Sequence, residues 1–332
     1  MKIAFFEIED WEKKYLKEKF RSHNLFFSKD NLDEKNIASV RDADILCVFI
    51  YSKINRQILK KFKKLKTIVT RSTGFEHIDI KECKKRKIQV LNVPFYGENT
   101  VAEHTFALIL NLSRKIHNAC ERTKKGDFSL EGLRGFDLKG KTLGIIGLGH
   151  IGIHVARIAK GFEMNLLVYT PHKNRKLGKR LGIKYVSLDN LLKNSDIVTL
   201  HSPYNKQTHH MINSKNIKLM KKGAYLINTA RGGLIDTRAL IKSLKKDLGG
   251  AALDVLEEEE LIKEEAQMLS RRFSREDLES LFENHILMSF DNVVITPHNA
   301  FNSKEALQRI LDTTIDNLMC IIKKKRCGNL VQ

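Results

Sequence analysis

Proline is scarce in this chain, at four residues in 332, while hydrophobic residues make up 42%. That balance excludes a disordered polypeptide and leaves enough apolar material for well-buried cores. Cysteine is sparse too: the five residues, at positions 47, 83, 120, 320 and 327, are odd in number and scattered. They show no paired spacing suited to a metal or a disulfide framework, and a reducing interior is their simplest setting. No uninterrupted apolar stretch reaches membrane-spanning length, and the N-terminal MKIAFFEIEDWEKKY becomes charged too early for a signal peptide. No segment is of low complexity. These absences predict a soluble, cytoplasmic protein without a membrane partner.

Acidic residues are outnumbered, 39 against 59 lysines and arginines, for a formal net charge of +20. Such an excess invites a nucleic-acid reading, but its distribution argues against one. Basic residues are spread over every predicted helix (Lys60 to Lys66, Lys84 to Lys87, Lys242 to Lys246), with one denser run at Lys323 to Arg326. There is no interleaved aromatic platform and no recognised nucleic-acid motif. The reading is a lysine-rich solvated surface that attracts anionic substrates and cofactors at long range.

What the chain does have is a regular alternation. The β-rich runs KIAFFEI, NLFFS, DILCVFIY, KTIVTRS and IQVLNV are separated by polar helical stretches such as Asn55 to Lys64 and Ile80 to Lys87. The rhythm restarts after residue 160 with LLVYT, DIVTLHSP, GAYLINTARG, GGAALDVL and NVVITPHNA. Alternation of this kind predicts α/β architecture, two doubly wound parallel sheets covered by helices. Thr100 to Lys125 reads as one long linking helix, opened by a capping box of Thr100 and Glu103. Ser303 to Lys325 reads as an amphipathic helix that crosses back onto the first unit. The first domain is therefore expected to be discontinuous, 1–99 with 300–332, around a second domain, 100–299. Leu256 to Phe290 is a charged, helix-rich insertion, and its acidic run Glu257 to Glu260 has a plain alternative as a solvated helix start.

Within the second domain, KTLGIIGLGHIGIHVARIAKG at 141–161 is an apolar strand, a glycine turn and an amphipathic helix. Gly147 permits the tight turn, Gly149 lets backbone approach a pyrophosphate, and Gly152 lets helix and strand pack closely. The helix N-terminus then faces the anion. Three further residues stand at predicted strand exits, where α/β proteins bind ligands. Arg231 follows a buried run and precedes two glycines, and its planar fork suits a carboxylate or phosphate. Its alternative is a surface arginine. His298 follows Val293-Val-Ile-Thr-Pro and can donate a proton near neutral pH, although a histidine beside proline is often structural. Glu259 lies beyond Asp254-Val255, and a carboxylate hydrogen-bonded to an imidazole would orient it and favour its charged form.

Taken together, the glycine fingerprint, Asn228-Thr-Ala-Arg231-Gly-Gly, Leu253-Asp-Val-Leu-Glu-Glu-Glu259 and Thr296-Pro-His298-Asn-Ala-Phe resemble the D-isomer-specific 2-hydroxyacid dehydrogenases. Asn92-Val-Pro-Phe-Tyr-Gly-Glu-Asn-Thr-Val-Ala-Glu-His104 is similar to the family's entry into its linking helix, and Ser72-Thr-Gly-Phe-Glu-His-Ile-Asp79 to its substrate-carboxylate loop. The insertion after Glu259 and the His-Asn-Ala-Phe ending resemble the D-lactate dehydrogenase-like branch. The resemblance runs through essentially the whole chain. It implies a Rossmann dinucleotide domain inserted in a flavodoxin-like substrate domain, a homodimer, and no metal. It also implies reduction of a small 2-keto acid such as pyruvate or glyoxylate to the D-2-hydroxy acid. Arg231 would bind the carboxylate and polarise the carbonyl, His298 would donate the proton, and Glu259 would hold His298 charged. Backbone around Thr73 and Gly74 would add a second carboxylate grip, with Tyr51 and Tyr96 shaping the side-chain pocket. Cofactor contacts would comprise His150 and Ile151 at the pyrophosphate, Ser202, Pro203 and Thr208 near the adenosine, Thr229 and Ala230 in the wall, and Asp254 near the nicotinamide amide.

One position departs from the pattern. NAD-selective members end the second strand in an acid that accepts from the adenosine ribose. Here the sequence is Tyr169-Thr170-Pro171-His172-Lys173-Asn174-Arg175. Thr170, Lys173 and Arg175 suit a 2′-phosphate, so the cofactor expected is NAD(P) with a lean to NADP. The alternatives kept open are a phosphorylated-hydroxyacid dehydrogenase, which the positive charge would suit, and a nucleotide-sensing corepressor or scaffold of the same fold.

Overall fold

The computed structural model describes residues 1–259 and 274–331. Glu260 of the acidic run and the rest of 260–273 in the predicted insertion lie outside the described residues. The chain divides into two compact units, Met1–Tyr96 with Ser303–Gln332, and Gly97–Asn302. The division falls at 96/97 and 302/303, against 99/100 and 299/300 read from the sequence.

The first unit holds β1 (Lys2–Phe5), β2 (Asn24–Phe27), β3 (Ile45–Val48), β4 (Thr67–Thr70) and β5 (Gln89–Leu91), all parallel, in the order β2-β1-β3-β4-β5. That is the flavodoxin-like order. β3 and β4, Ile-Leu-Cys-Val and Thr-Ile-Val-Thr, are buried at every position, as strands covered by helices on both faces must be. The crossovers include α1 (Asp10–Lys19), α2 (Arg56–Lys61) and α3 (Ile80–Lys85). The C-terminal helix Lys304–Ile322 packs on β4 and α1, burying Leu311, Ile315 and Leu318 with Ile3, Phe5 and Val69. Beyond it, Lys324 adopts a left-handed backbone (φ 52°) that turns the chain back, and Cys320 and Cys327 form a disulfide with Cα atoms 5.7 Å apart. Read linearly, that spacing had suggested no pair; the reversal of the chain supplies it.

The second unit holds α4 (Glu98–Arg114), α5 (Ile116–Lys124) and the parallel strands β6 (Thr142–Ile146), β7 (Asn165–Tyr169), β8 (Ile183–Tyr185), β9 (Ile197–Leu200), β10 (Tyr225–Asn228), β11 (Gly250–Leu253) and β12 (Val293–Ile295). Their order is β12-β11-β10-β9-β6-β7-β8, the Rossmann arrangement extended by one strand. α6 (His150–Gly161), α7 (Arg175–Leu181), α8 (Leu188–Asn194), α9 (Thr237–Leu244) and α10 (Arg275–Met288) are its further α-helices among the described residues.

The long helix expected over Thr100 to Lys125 is two helices. Lys115, at φ 52°, ends α4, and the Ser113 carbonyl accepts instead from the Phe136 amide at 2.9 Å. A Cβ on Gly135 would lie 2.1 Å from that same carbonyl, so the 134–136 segment crosses directly over the end of α4. The expected capping box is not formed either. α4 begins at Glu98 with Gly97 as its N-cap and no side-chain cap, and Thr100 is buried inside the first turn.

Candidate active site

Strand register fixes what stands beside what. In the second unit Ile146 pairs with Leu200, Leu200 with Asn228, Asn228 with Leu253, and Leu253 with Ile295. Five strands therefore end level, and segments 147–149, 201–203, 229–231, 254–259 and 296–300 emerge side by side along one edge of the sheet. The strand order reverses at β6, so the crevice where α/β sheets bind ligands opens at the glycine turn.

The three glycines differ in what surrounds them. A Cβ on Gly147, whose φ is +95°, would lie 2.6 Å from the His201 carbonyl, and one on Gly152 would lie 2.2 Å from the Gly147 carbonyl. A Cβ on Gly149 would meet nothing within 4 Å. Gly147 and Gly152 thus close the turn against the protein, while Gly149 faces open space. Gly149 also caps α6 without a side-chain hydrogen bond, so the amides of its first turn, at His150 and Ile151, are aimed at that space. Behind the turn, the His201 Nδ1 is buried without a partner among the described residues, and burial pushes the imidazole down to about 3. These features fit a dinucleotide pyrophosphate: an open, amide-lined approach at Gly149 over a floor that is neutral and tightly packed.

The remaining cofactor candidates flank the turn. Thr170 leaves the end of β7 half-buried, and Lys173 and Arg175 are exposed around the Asn174 cap of α7. Ser202 donates to the Ile146 carbonyl at 3.4 Å. The Thr208 hydroxyl donates to the Pro203 carbonyl at 2.7 Å, so both side chains brace the 202–208 loop. Thr229 hydrogen-bonds through its hydroxyl to Thr105 on α4 at 3.0 Å, leaving backbone and Ala230 to line the edge.

Arg231 sits on a turn that Asn228 clamps. The buried Asn228 accepts from the Ala230 amide at 3.0 Å and donates to the Arg231 carbonyl at 2.9 Å, while the Arg231 Nη1 donates to the Ala230 carbonyl at 2.8 Å. His298 and Glu259 are in contact: Nδ1 and Oε1 are 2.7 Å apart, and each side chain is about a quarter exposed, at 24% and 25%. His298 has a left-handed backbone (φ 53°), a conformation that a non-glycine residue keeps only when its surroundings enforce it.

The enforcement comes from Asp254. Its carbonyl accepts from the His298 amide at 2.8 Å, and its carboxylate accepts from the Thr296 hydroxyl at 2.5 Å and from the Asn299 and Ala300 amides at 2.8 and 2.9 Å. His104 of α4 adds its Nε2 at 3.4 Å. Burial alone would push this carboxyl up, but the hydrogen bonds from His104, Thr296, Asn299 and Ala300 outweigh it and hold it below its usual range. Sequence reasoning assigned no role to Asn228, His104 or Thr296. The available signal was an asparagine at a strand exit, a side chain that suits such turns.

In the first unit the same logic aligns β3, β4 and β5, whose ends lead into Tyr51, Ser72–Gly74 and Tyr96. Arg71 anchors the middle loop: its Nη1 donates to the buried Glu12 at 2.5 Å and its Nη2 to the Glu7 carbonyl. Thr73 turns its hydroxyl back to the Val93 carbonyl at 2.9 Å, and Gly74 accepts from the Ser72 hydroxyl at 2.7 Å. Tyr51 is 42% exposed, and the Tyr96 carbonyl accepts from Arg309 at 2.6 Å.

Known proteins resemble this chain in sequence and fold. Residues 106–300 match the family model described as D-isomer specific 2-hydroxyacid dehydrogenase, NAD binding domain. The chain is 35% identical to the D-lactate dehydrogenase of Escherichia coli, with 99% of each chain covered. It is 38% identical to the glyoxylate reductase of Thermofilum pendens over 87% of this chain and 81% of that one. Among solved structures, the D-lactate dehydrogenase of Aquifex aeolicus complexed with NAD and lactic acid superposes with a TM-score of 0.89 at 37% identity, covering 99% of this chain and 98% of that one. This chain belongs to the D-isomer-specific 2-hydroxyacid dehydrogenases, in their D-lactate dehydrogenase-like branch, and is an oxidoreductase that works on 2-hydroxy acids with a nicotinamide cofactor.

Proposed function

We propose that the protein reduces a small 2-keto acid, pyruvate-like or glyoxylate-like, to the D-2-hydroxy acid, and that it prefers NADPH. The observation that carries the reading is the 2.7 Å contact between His298 Nδ1 and Glu259 Oε1, on the sheet edge that also carries Arg231. The names of the Escherichia coli and Thermofilum pendens relatives, a D-lactate dehydrogenase and a glyoxylate reductase, support the substrate class.

A dinucleotide held by its pyrophosphate at the glycine turn, on the amides of His150 and Ile151, would supply a hydride from its nicotinamide to C2 of the keto acid. Arg231 holds the substrate carboxylate through its guanidinium fork and draws charge onto the carbonyl oxygen. His298, oriented through Nδ1 by Glu259, gives its Nε2 proton to that oxygen as it becomes an alkoxide, and takes it back in oxidation. In the first unit, the proposal assigns a carboxylate-binding role to the amides around Thr73 and Gly74, and a pocket-lining role to Tyr51 and Tyr96. Asp254 acts by fixing the 296–300 loop.

The NADPH preference rests on Thr170, Lys173 and Arg175, which offer a hydroxyl and two cations where an acid would repel a 2′-phosphate. The reading includes a homodimer, supported by exposed apolar side chains at Ile116, Phe128 and Leu130 (49%, 78% and 82%). It also includes a cytoplasmic location, where nicotinamide cofactors are drawn from the metabolic pool. A panel of 2-keto acids, assayed with NADH and NADPH in parallel, tests the assignment. Arg231→Gln should lower kcat/KM by about 100-fold or more while cofactor still binds. Undiminished keto-acid reduction by that variant would reject the role of Arg231, and a preference for NADH above about tenfold would reject the cofactor choice.

A further inference from the structure

Outside the residues used above, one cluster among the described residues combines donor atoms suited to a transition metal. His209, His210 and Glu257 each present a ligand atom, all within 4.8 Å of one another. We propose that these three residues form a binding site for a borderline divalent cation of the zinc class. The chemistry of the set favours that class: two imidazoles and one carboxylate suit zinc, whereas magnesium and calcium prefer oxygen alone.

The cluster is built rather than incidental. His210 Nε2 lies 2.6 Å from Glu257 Oε1, and the second oxygen of Glu257 accepts from the Thr237 hydroxyl at 3.0 Å. The Glu257 carbonyl accepts from the Asn284 side chain at 2.8 Å. His210 has a left-handed backbone (φ 46°), and its amide donates to the Gly233 carbonyl at 2.9 Å. The exposed His209 stacks on His210 with ring centroids 3.9 Å apart, and its Nδ1 meets the Tyr204 hydroxyl at 3.0 Å. In the tautomer where Nδ1–H donates to that oxygen, Nε2 is left unprotonated for an ion. Support of a ligating histidine through its other nitrogen is the usual arrangement around bound metals.

Tetrahedral zinc at about 2.1 Å from each donor needs donors about 3.4 Å apart. His209 must therefore turn out of its stack on His210 and draw in, while the 2.6 Å contact between His210 and Glu257 widens; as the most exposed member, His209 has the freedom to rotate. The ion would tie the 204–210 loop to the segment that leads from Glu257 to Glu259. It would also brace the arginine turn, because the Tyr204 ring packs against Gly233, where a Cβ would come within 2.7 Å.

The test uses the tag-free, full-length protein stripped with chelator, titrated with zinc chloride by calorimetry and followed by thermal melting. One equivalent per chain and a raised melting temperature are expected. His209→Ala and Glu257→Gln should each weaken zinc by more than about tenfold. His209 is exposed, so its variant keeps the proposal testable if the Glu257 change disturbs the fold. His298→Ala should retain the equivalent, which separates this cluster from the His298–Glu259 pair. Absence of zinc binding by the parent protein, unchanged affinity in both cluster variants, or loss of the equivalent with His298→Ala would each overturn the proposal.

Discussion

Two glycines of one turn should fail in opposite ways when given a methyl group. At Gly149 the backbone is extended (φ −79°, ψ −162°), a conformation alanine adopts freely, and the added Cβ meets no protein atom within 4 Å. Gly149→Ala should therefore leave stability unchanged or raise it by up to about 1 kcal/mol, by narrowing the unfolded ensemble. The methyl does occupy the approach to the α6 amides. Losing one hydrogen bond to a charged phosphate costs about 1.5–3 kcal/mol, so cofactor affinity should fall about 10- to 150-fold. At Gly152 the Cβ would sit 2.2 Å from the Gly147 carbonyl, and backbone cannot swing aside as a flexible side chain can. Gly152→Ala should lose about 1–3 kcal/mol of stability as helix and turn are forced apart. Urea unfolding of the apoprotein together with fluorescence titration of NADH and NADPH separates the two effects. Unimpaired binding by Gly149→Ala would refute the assignment of that residue to the phosphate approach. A Gly152→Ala protein as stable as the parent would refute the packing argument.

Thr170→Asp places an anion where the 2′-phosphate is expected, and should shift the NADPH to NADH ratio of kcat/KM by about tenfold or more towards NADH; an unchanged ratio would show that another contact selects the cofactor. His201 should make the fold acid-sensitive. Its folded value of about 3 lies below the ordinary histidine value of 6.5, so the unfolded chain takes up the proton first, and stability is intact above pH 6.5 and declines from there towards pH 3. Between pH 7 and pH 5 the loss from this group should be about 2 kcal/mol, and a His201→Gln protein with the same pH slope would contradict it. Phe128→Asp with Leu130→Asp should convert a dimer to monomers in sedimentation analysis while keeping the fold; a persistent dimer would move the interface elsewhere.

The parallel strands were legible because a strand covered on both faces is a short, continuous apolar run bounded by turn residues. β8 escaped notice: Ile183-Lys-Tyr185 is three residues long with an exposed lysine in the middle. The break at Lys115 carries no local signature, since lysine is an ordinary helix former and the cause, Gly135, lies twenty residues later. The same limit applied around the candidate site. Residues at strand exits could be nominated one by one, but the partners of Asp254 come from α4 and from the loop after β12, and only folding brings such distant segments to one carboxylate. The Cys320–Cys327 pairing likewise depends on a chain reversal that residue counting does not reveal.

The anchoring of His298 has a consequence for how the molecule should age and adapt. β12 is the edge strand of its sheet, three residues long and only half-buried. The proposed proton donor therefore gains little support from its own strand and leans on Asp254, just past the end of the strand beside it, whose carbonyl accepts from the His298 amide and whose carboxylate accepts from Thr296, Asn299 and Ala300. Under that proposal, the proton donor depends on a local hydrogen-bonded loop beside a short edge strand, which can open at lower cost than the sheet as a whole. Gentle warming should silence the chemistry while the sheet is still intact.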